Sequence, residues 1–375
     1  MKKLIKYEPK YKQIKKIIKE RISKGIYKEE ERIPSEYQLI KEFNVSRHTI
    51  LKALSELIGE NYIYRIHGKG TFVCSNHKRR KNKIAVLVYH SENIYFSKII
   101  REAENFANKK NYHLILCNTI GDFEKETNYI EKLLPEVDGF LVCCCYKNKK
   151  ISDGLKKLIK NEFPFVLFSH IPEIKNIDKI DYVIPNYFEG MYKLGKYLIK
   201  NDYRNFIFIV EKNGLKRTEI QERLKGLKLS IKEENLEHNL KLFEISDRDA
   251  MNGYMNDGYE ASKNLINYIS KDRKTCIVCM NDSISIGIIM GLREKGVRIP
   301  EDVGVTGFDD ITPLSINFKL TTVSTSIYEM GRKAMELLIE KIEFVNHKPQ
   351  HIILPYELKI RETTMTEKLK EEIKL

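Results

Sequence analysis

The chain has 375 residues, of which 42% are hydrophobic and 31% charged, a composition typical of folded globular proteins. At about 150 residues per domain, this length predicts two or three domains. The longest apolar run, around Gly139–Cys145, is far shorter than the ~18 residues that a membrane span needs. No apolar segment follows the Lys-rich start, so we expect a cytoplasmic protein without a membrane partner.

The seven cysteines are odd in number and scattered, which favours reduced thiols over disulfides. Cys276 and Cys279 form a C-x-x-C, but the β-branched residues around them predict a strand, in which residues three apart face opposite sides. We therefore expect neither a metal nor a redox role for this pair.

The net charge of +14 is concentrated in the first fifth of the chain. Residues 1–83 hold 22 Lys and Arg against 9 Asp and Glu, whereas residues 84–375 hold 44 against 43. This segregation is typical of a nucleic-acid-binding domain joined to a neutral one. Because residues 75–83 are basic and lack a periodic apolar pattern, we expect them to link a DNA-binding domain, 1–74, to a second domain, 84–375.

Helical spacing of apolar residues predicts a first helix that carries Tyr11, Ile14, Ile18 and Ile22. Ser35 and Gln38 predict a capping box at the start of a second helix. Ser46 is a predicted N-cap of a third helix, whose apolar face begins at Ile50. Alternating residues at 62–66 and 71–74 flank a basic glycine tip and predict a β-hairpin. This order of elements predicts an N-terminal winged helix-turn-helix.

The exposed face of the third helix and the hairpin tip carry the donors that DNA bases and phosphates accept. The candidate DNA-binding residues are Lys10, Ser35, Ser46, Arg47, His48, Thr49, Lys52, His67, Gly68 and Lys69. A protein-docking domain is the alternative to DNA binding at this point.

Three segments, Pro34-Ser-Glu36, Val45-Ser-Arg-His-Thr49 and His67–Val73, resemble the signature of GntR-type bacterial transcription regulators over residues 8–74. The resemblance implies that Arg47 and the hairpin tip contact DNA. Four residues after that Arg the family commonly has a second Arg, where this chain has Leu51. The operator sequence of this protein therefore cannot be inferred from the operators of its relatives.

Residues 84–375 alternate between short apolar runs and amphipathic stretches, which predicts an α/β fold with the ligand at the carboxyl ends of the strands. The predicted strands are Ile84–Tyr89, His113–Cys117, Gly139–Cys143, Phe165–Phe168, Tyr182–Ile184, Asn205–Val210, Leu240–Ile245, Cys276–Met280 and Gly304–Gly307.

Catalytic and metal patterns are incomplete in this segment. Gly190–Tyr197 imitates a phosphate loop, but Tyr197 stands where a Ser or Thr would bind Mg²⁺. His347 and His351 are four residues apart with Pro349 between them, so we expect surface residues rather than a metal-binding helix face. We expect no enzyme, no cofactor, no catalytic residue and no metal.

Four further segments resemble the LacI-type repressors from Ile84 to about Glu362: Arg223–Gly226, Cys279–Asp282, Ile299–Asp310 and Leu320–Val323. The resemblance implies a two-lobed domain of the periplasmic-binding-protein type (type I), with two Rossmann-like lobes, three crossovers and a ligand between the lobes. It also implies that Arg223, Asn281 and Asp309 bind the ligand.

The chemistry of these residues suits a sugar, since an Arg fork, an amide and a carboxylate together satisfy neighbouring hydroxyls and an aromatic ring covers the apolar face. Phe168 and Tyr187 are further ring candidates. The alternative is that Asp309 and Asn281 hold loops and that the aromatic residues belong to the core. The candidate ligand-binding residues are Tyr95, Phe96, Tyr146, Asn186, Arg223, Asn281 and Asp309.

A GntR-type head on a LacI-type body resembles the arabinose-operon repressors of low-GC Gram-positive bacteria. We therefore expect a dimeric repressor of sugar-utilisation genes that a small sugar, first of all L-arabinose, releases from operator DNA. Alternatives are another sugar or a nucleobase as effector, a corepressor mode, a GntR head fused to an aminotransferase-like enzyme, and an architectural DNA binder without a ligand.

Overall fold

The computed structural model describes residues 8–60, 62–66, 68–74, 81–147, 150–246, 248, 254–270, 272–311, 316–343 and 347–365. The chain divides into two compact units, and the boundary lies between Lys81 and Asn82. Within the described ranges, no helix is long and apolar enough to cross a membrane.

In its described residues, the first unit contains three helices and a hairpin: α1 (Lys10–Ser23), α2 (Glu36–Phe43), α3 (Arg47–Gly59), β1 (Ile63–Ile66) and β2 (Gly70–Val73). The predicted capping box of Ser35 and Gln38 is confirmed, as is Ser46 as the N-cap of α3. β1 and β2 pair antiparallel. Their apolar residues join the three helices in one core that includes Ile18, Leu39 and Ile50.

The second unit has two lobes, each built on a sheet. In the described part of the chain, the strands of the N-lobe sheet are β3 (Lys83–Val88), β4 (His113–Asn118), β5 (Gly139–Val142), β8 (Phe165–Phe168), β9 (Tyr182–Pro185) and β15 (His351–Leu354). Their order is β15-β9-β8-β5-β3-β4, and the strand pairs are parallel. The helices of this lobe are α4 (Ile94–Lys109), α5 (Phe123–Leu133), α6 (Asp153–Lys160) and α11 (Ile327–Glu343), and a short ribbon pairs β6 (Tyr146–Lys147) with β7 (Lys150–Ile151).

The strands of the C-lobe sheet are β10 (Asn205–Glu211), β11 (Leu240–Ile245), β12 (Thr275–Cys279), β13 (Val303–Asp309), β14 (Thr321–Ser324) and β16 (Glu357–Lys359). Their order is β11-β10-β12-β13-β14-β16, with β16 antiparallel to its neighbour. The helices of this lobe are α7 (Tyr187–Lys200), α8 (Thr218–Lys232), α9 (Met255–Leu265) and α10 (Asp282–Glu294). The central strands β12 and β13 are buried along their whole length, as expected of parallel strands covered by helices on both faces.

Within the described ranges the chain passes between the lobes three times: from β9 into α7, from β14 into α11, and from β15 into β16. The predicted fold class, a winged helix-turn-helix followed by a two-lobed α/β domain, is confirmed. All nine predicted strands are present, with ends that differ by at most two residues. The strands β6, β7, β14, β15 and β16 were not predicted.

Two local expectations concern cysteine and histidine. Cys276 and Cys279 lie buried on β12, and burial raises the pKa of both thiols, to about 12 for Cys279. The surface position expected for His347 is wrong: its side chain is only 9% exposed, and its Nε2 lies 2.7 Å from Oδ1 of the buried Asp181. His351 is exposed, and its ring stacks on Tyr182.

Candidate DNA interface and ligand cleft

The start of α3 presents polar groups while its apolar face is buried. The Oγ of Ser46 accepts a hydrogen bond from the backbone N–H of Thr49 at 3.3 Å, which caps the helix, and the two hydroxyls lie 2.9 Å apart. The side chain of Arg47 is 74% exposed, and His48 is exposed as well. An exposed helix N-terminus with a largely exposed guanidinium is suited to contact a DNA groove.

The other candidate DNA-binding residues are distributed over the surface of the same unit. Lys10 is the exposed first residue of α1, and Ser35 is half-buried in its capping box. The Nζ of Lys52 lies 4.3 Å from the ring centre of Tyr11, a cation–π contact that ties α3 to α1.

The hairpin places Gly68 and Lys69 at an exposed tip, whereas His67 lies outside the described residues. Gly70 has a φ of +123°, and a Cβ at this position would approach Nε of Arg32 to 2.5 Å. The rings of Tyr64 and Phe72 stack across the two strands at 5.7 Å. The conformation of the wing therefore depends on this glycine and this aromatic pair.

A cavity of about 620 Å³ lies between the two lobes of the second unit, and we refer to it as the cleft. Segments that follow the strands of both sheets line it, as expected for open α/β sheets. The N-lobe contributes Tyr89, His90, Asn93, Tyr95, Phe96, Ser169 and His170, among others, and the C-lobe contributes Glu211, Lys212, Lys216, Arg217, Glu219, Arg223, Asn281 and Asp309.

Arg223 is a buried cation in the C-lobe wall of the cleft. It is 6% exposed, and one of its Nη atoms donates a hydrogen bond to the carbonyl of Met280. Its guanidinium lies 3.9 Å from the ring centre of Phe308 and 4.8 Å from that of Tyr187. These contacts hold a buried planar cation in one orientation at the edge of the cleft.

Asp309 ends β13 with a φ of +105° and is 7% exposed. Burial raises the pKa of its carboxyl to about 6, and the neighbouring Arg223 partly opposes that rise. In the described part of the chain, Oδ1 of Asp309 and Nε of Arg223 have no hydrogen-bond partner. Unsatisfied buried polar atoms are costly, and here the acceptor and the donor belong to two residues that both line the cleft.

Asn281 stabilises local structure, as the alternative to ligand binding expects. Its Oδ1 accepts a hydrogen bond from the N–H of Ile284 at 2.9 Å and caps α10. It also lines the cleft. Capping a helix and facing the cleft are therefore compatible at this position.

A second charged group in the C-lobe wall was missed by the sequence analysis. Arg217 forms an ion pair with Glu211, and its Nε lies 3.6 Å from a carboxylate oxygen of Glu219. Glu211 is 4% exposed, and burial raises the pKa of its carboxyl. The sequence feature that could have predicted a charged group here is the position of Glu211, whose carboxylate directly follows a predicted strand.

Aromatic rings form much of the N-lobe wall. Tyr95 and Phe96 both line the cleft, and the hydroxyl of Tyr95 lies 3.0 Å from Oγ of Ser169. Tyr89 packs edge-on against Phe96 at 6.1 Å and stacks on His170 at 5.5 Å. Burial lowers the pKa of His170, which favours a neutral ring there.

Two sequence candidates, Phe168 and Asn186, do not line the cleft, and a third, Tyr146, lies partly outside the described residues. The backbone of Tyr146 lies in β6, and its side chain is outside the described residues. Phe168 is fully buried in the core of the N-lobe. Asn186 caps α7 instead: its Oδ1 accepts from the N–H of Glu189 at 3.2 Å, and its Nδ2 donates to the carboxylate of the same residue at 2.9 Å.

Comparison with known proteins identifies both units. The model of the bacterial regulatory proteins of the gntR family matches residues 10–73, and that of the periplasmic binding protein-like domain matches residues 196–364. The HTH-type transcriptional repressor PurR of Vibrio vulnificus is 32% identical over 283 residues, which cover 75% of this chain and 80% of the relative.

Two further relatives cover the second unit or nearly the whole chain. The arabinose metabolism transcriptional repressor of Geobacillus stearothermophilus is 28% identical over 349 residues, 89% of this chain and 92% of the relative. The crystal structure of a LacI family transcriptional regulator from Enterococcus faecium with bound ribose is 26% identical with a TM-score of 0.64, and the match covers 75% of this chain and 98% of that one.

Proposed function

Since the chain belongs to the LacI-type transcriptional repressors and carries a GntR-type DNA-binding domain, we propose that it represses sugar-utilisation genes and leaves its operator when a small sugar binds in the cleft. In this proposal, residues 1–74 bind DNA, residues 75–83 form a linker, and residues 84–375 bind the sugar and dimerise. L-arabinose is the first candidate effector.

The unsatisfied pair of Arg223 and Asp309 carries the proposal. A hydroxyl both donates and accepts, so a pair of sugar hydroxyls would satisfy Nε of Arg223 and Oδ1 of Asp309, neither of which has a hydrogen-bond partner among the described residues. Oε2 of the ion-paired Glu211, which has no such partner either, is a further acceptor in the same wall. The aromatic wall of Tyr95 and Phe96 is suited to the apolar face of a sugar ring.

The balance of charge favours a neutral ligand over a phosphorylated one. Among the described residues that line the cleft, four are acidic and four are basic: Asp122, Glu211, Glu219 and Asp309 against Lys212, Lys216, Arg217 and Arg223. A phosphate would need an excess of cations or a row of free backbone N–H groups.

Two of the similar proteins favour a pentose. The relative named for arabinose metabolism aligns with 89% of this chain, including the DNA-binding unit, and a ribose-bound regulator shares the fold of the second unit at 26% identity. A planar nucleobase is the second candidate, favoured by the ring cluster of Tyr89, Phe96 and His170.

The proposed dimer follows from the geometry of DNA recognition. One winged helix reads one half-site, so two copies must be held at a fixed spacing to read a two-fold operator. The edge strands β4 and β11 of the second unit carry exposed apolar residues, Leu116 at 44% and Leu242 at 39%. Exposed apolar sheet edges are suited to pairing with a second copy.

Two measurements test the proposal. A thermal-shift panel of L-arabinose, D-ribose, D-xylose, their phosphates and purine bases identifies the effector, because a ligand at 100 times its dissociation constant stabilises the native state by about 2.7 kcal/mol. Selection of duplexes from a random library then supplies an operator, and the effector should release the protein from it. Stabilisation by a purine base alone would exclude the sugar, and tighter operator binding with sugar would indicate a corepressor.

A further inference from the structure

One carboxylate in the first unit contacts two arginines from two different elements. Glu36 is the first residue of α2, and its side chain is 25% exposed. One of its oxygens accepts a hydrogen bond from an Nη of Arg65 on β1. The other oxygen lies 3.5 Å from Nε of Arg47 at the start of α3. The wing and the third helix therefore meet at the same side chain.

Both arginines keep much of their surface in solvent. The side chain of Arg47 is 74% exposed and that of Arg65 48% exposed. In the part of the chain that the structure describes, neither guanidinium has another carboxylate partner. The contact with Arg47 uses Nε, which leaves the two Nη groups of that fork to donate elsewhere.

We propose that Glu36 is a positioning residue of the DNA interface and that Arg65 is a further DNA-contacting residue supplied by the wing. Glu36 fixes the two guanidiniums relative to each other, so that they engage the operator as a pair. This inference rests on the proposed DNA-binding function.

Physical reasons favour an effect on binding over an effect on folding. Solvent-exposed ion pairs contribute little to stability, and Glu36 is partly exposed. In contrast, long side chains lose conformational freedom when they bind, so holding two Arg forks in advance lowers that cost. A carboxylate beside phosphates also repels any duplex that does not engage the arginines. Glu36 thus weakens non-specific binding while it supports specific binding.

This combination gives a signature that a purely structural role lacks. The test compares the full-length protein with its Glu36→Gln variant, using fluorescence anisotropy on the selected operator and on a scrambled duplex of equal length. We expect operator affinity to fall roughly tenfold, within the range of one good guanidinium–base contact. Affinity for the scrambled duplex should stay constant or rise, so the specificity ratio falls.

Glu42→Gln is the matched control. Glu42 lies on the same helix and forms an ion pair with Arg21, and its substitution by Gln removes the same charge as Glu36→Gln does. It should change the affinities for both duplexes by equal factors. Arg65→Lys keeps the charge and loses the fork, so it should reproduce the Glu36→Gln loss, and the double variant should lose no more than either alone.

Three outcomes would overturn the inference. Glu36→Gln could change both affinities by equal factors, as the control does; it could lower the melting temperature enough to account for the loss; or Arg65→Lys could bind the operator normally. A wild-type protein that binds operator and scrambled duplex equally would instead contradict the proposed function itself.

Discussion

The carboxylate of Asp309 lies 3.6 Å from the guanidinium of Arg223, close enough for a strong electrostatic interaction, yet Oδ1 of Asp309 accepts no hydrogen bond from any described residue. Both side chains are buried in the wall of the cleft. The two charges stabilise each other while a donor and an acceptor stay unsatisfied among the described residues, and in the proposed function a ligand with neighbouring hydroxyls would supply both missing partners.

The first prediction concerns this pair. Arg223→Ala and Asp309→Asn should each weaken sugar binding by about 1–3 kcal/mol or more, because each removes one partner and leaves buried groups of the site unpaired. Titration calorimetry measures the loss, and operator binding without sugar verifies that the first unit is intact. Unchanged affinity in both variants would contradict the assignment of the cleft.

Asn186 provides the control for that prediction. It caps α7 and does not line the cleft, although its sequence position suggested a ligand contact. Asn186→Ser keeps a side-chain N-cap without bringing a second carboxylate against Glu189, and it should leave sugar affinity unchanged within about twofold, which is a few tenths of a kcal/mol. A large loss would return Asn186 to the binding site.

Sequence and structure agree best where the signal is local. The capping residues Ser35 and Ser46 and the apolar strands of both sheets follow from spacing and burial that a few neighbouring residues determine. The pairing of Arg217 with Glu211 depends on a turn of six residues between β10 and α8, and periodicity does not predict such a turn. The short strands β15 and β16 lack a distinctive pattern because they occupy sheet edges.

The second prediction is a pH dependence of sugar binding. The pKa of Asp309 is raised from its ordinary value of 3.8 to about 6, so this carboxyl is mostly ionised at pH 7 and mostly protonated at pH 5. If the ionised form accepts the sugar hydroxyl, affinity should fall by about tenfold between pH 7 and pH 5. Calorimetry at several pH values tests this, and the Asp309→Asn variant should give a flat profile.

The third prediction concerns Asp282, which is fully buried at the start of α10. Its carboxylate accepts hydrogen bonds from the N–H of Ile311 at 2.7 Å and from the hydroxyl of Thr322 at 2.6 Å, and burial raises its pKa from 3.8 to about 8. The native state therefore binds this proton more tightly than the unfolded state does. Its contribution to the free energy of unfolding is fully present below pH 4 and decreases as the pH rises from about 4 to 8.

Asp282→Asn tests that sign. An amide can accept from Ile311 with its oxygen and donate to Thr322 with its nitrogen, because the threonine hydroxyl also accepts. The variant should therefore fold, and its stability should depend less on pH between 4 and 8 than that of the wild type. Urea unfolding at pH 5 and pH 8 gives the free energy of unfolding of both proteins at each pH. An equal change in that free energy between the two pH values in wild type and variant would contradict the raised pKa.

The fourth prediction concerns the contacts with DNA. Arg47→Ala should weaken operator binding by about 1–3 kcal/mol and relax sequence preference if the guanidinium reads a base. If Lys69 at the exposed wing tip contacts phosphate, Lys69→Ala should weaken binding to all duplexes alike. It should also reduce the magnitude of the slope of log affinity against log salt concentration by about one. Anisotropy over a range of salt concentrations distinguishes the two. Operator selectivity that survives Arg47→Ala would exclude α3 as the recognition helix.

The last prediction connects the cleft to DNA binding. Two hydrogen bonds join the lobes beside the cleft: the hydroxyl of Thr218 on α8 donates to the carbonyl of Ile171 at 2.8 Å, and that of Tyr187 donates to the carbonyl of Ser169. Closure of the lobes on a sugar would change the spacing of two linkers in a dimer and so the cost of engaging both half-sites. Linkage requires that operator DNA weakens sugar binding by the same factor by which sugar weakens operator binding, typically about 5- to 150-fold.

Thr218→Val separates this coupling from sugar recognition, because Thr218 does not line the cleft and valine has a similar shape without the hydroxyl. Loss of an interlobe hydrogen bond should shift the balance between open and closed lobes, and with it operator affinity in the absence of sugar. Titrating the sugar with and without a two-half-site operator measures the coupling in both proteins. Equal sugar dissociation constants with and without operator would mean that the lobes do not control the DNA-binding unit.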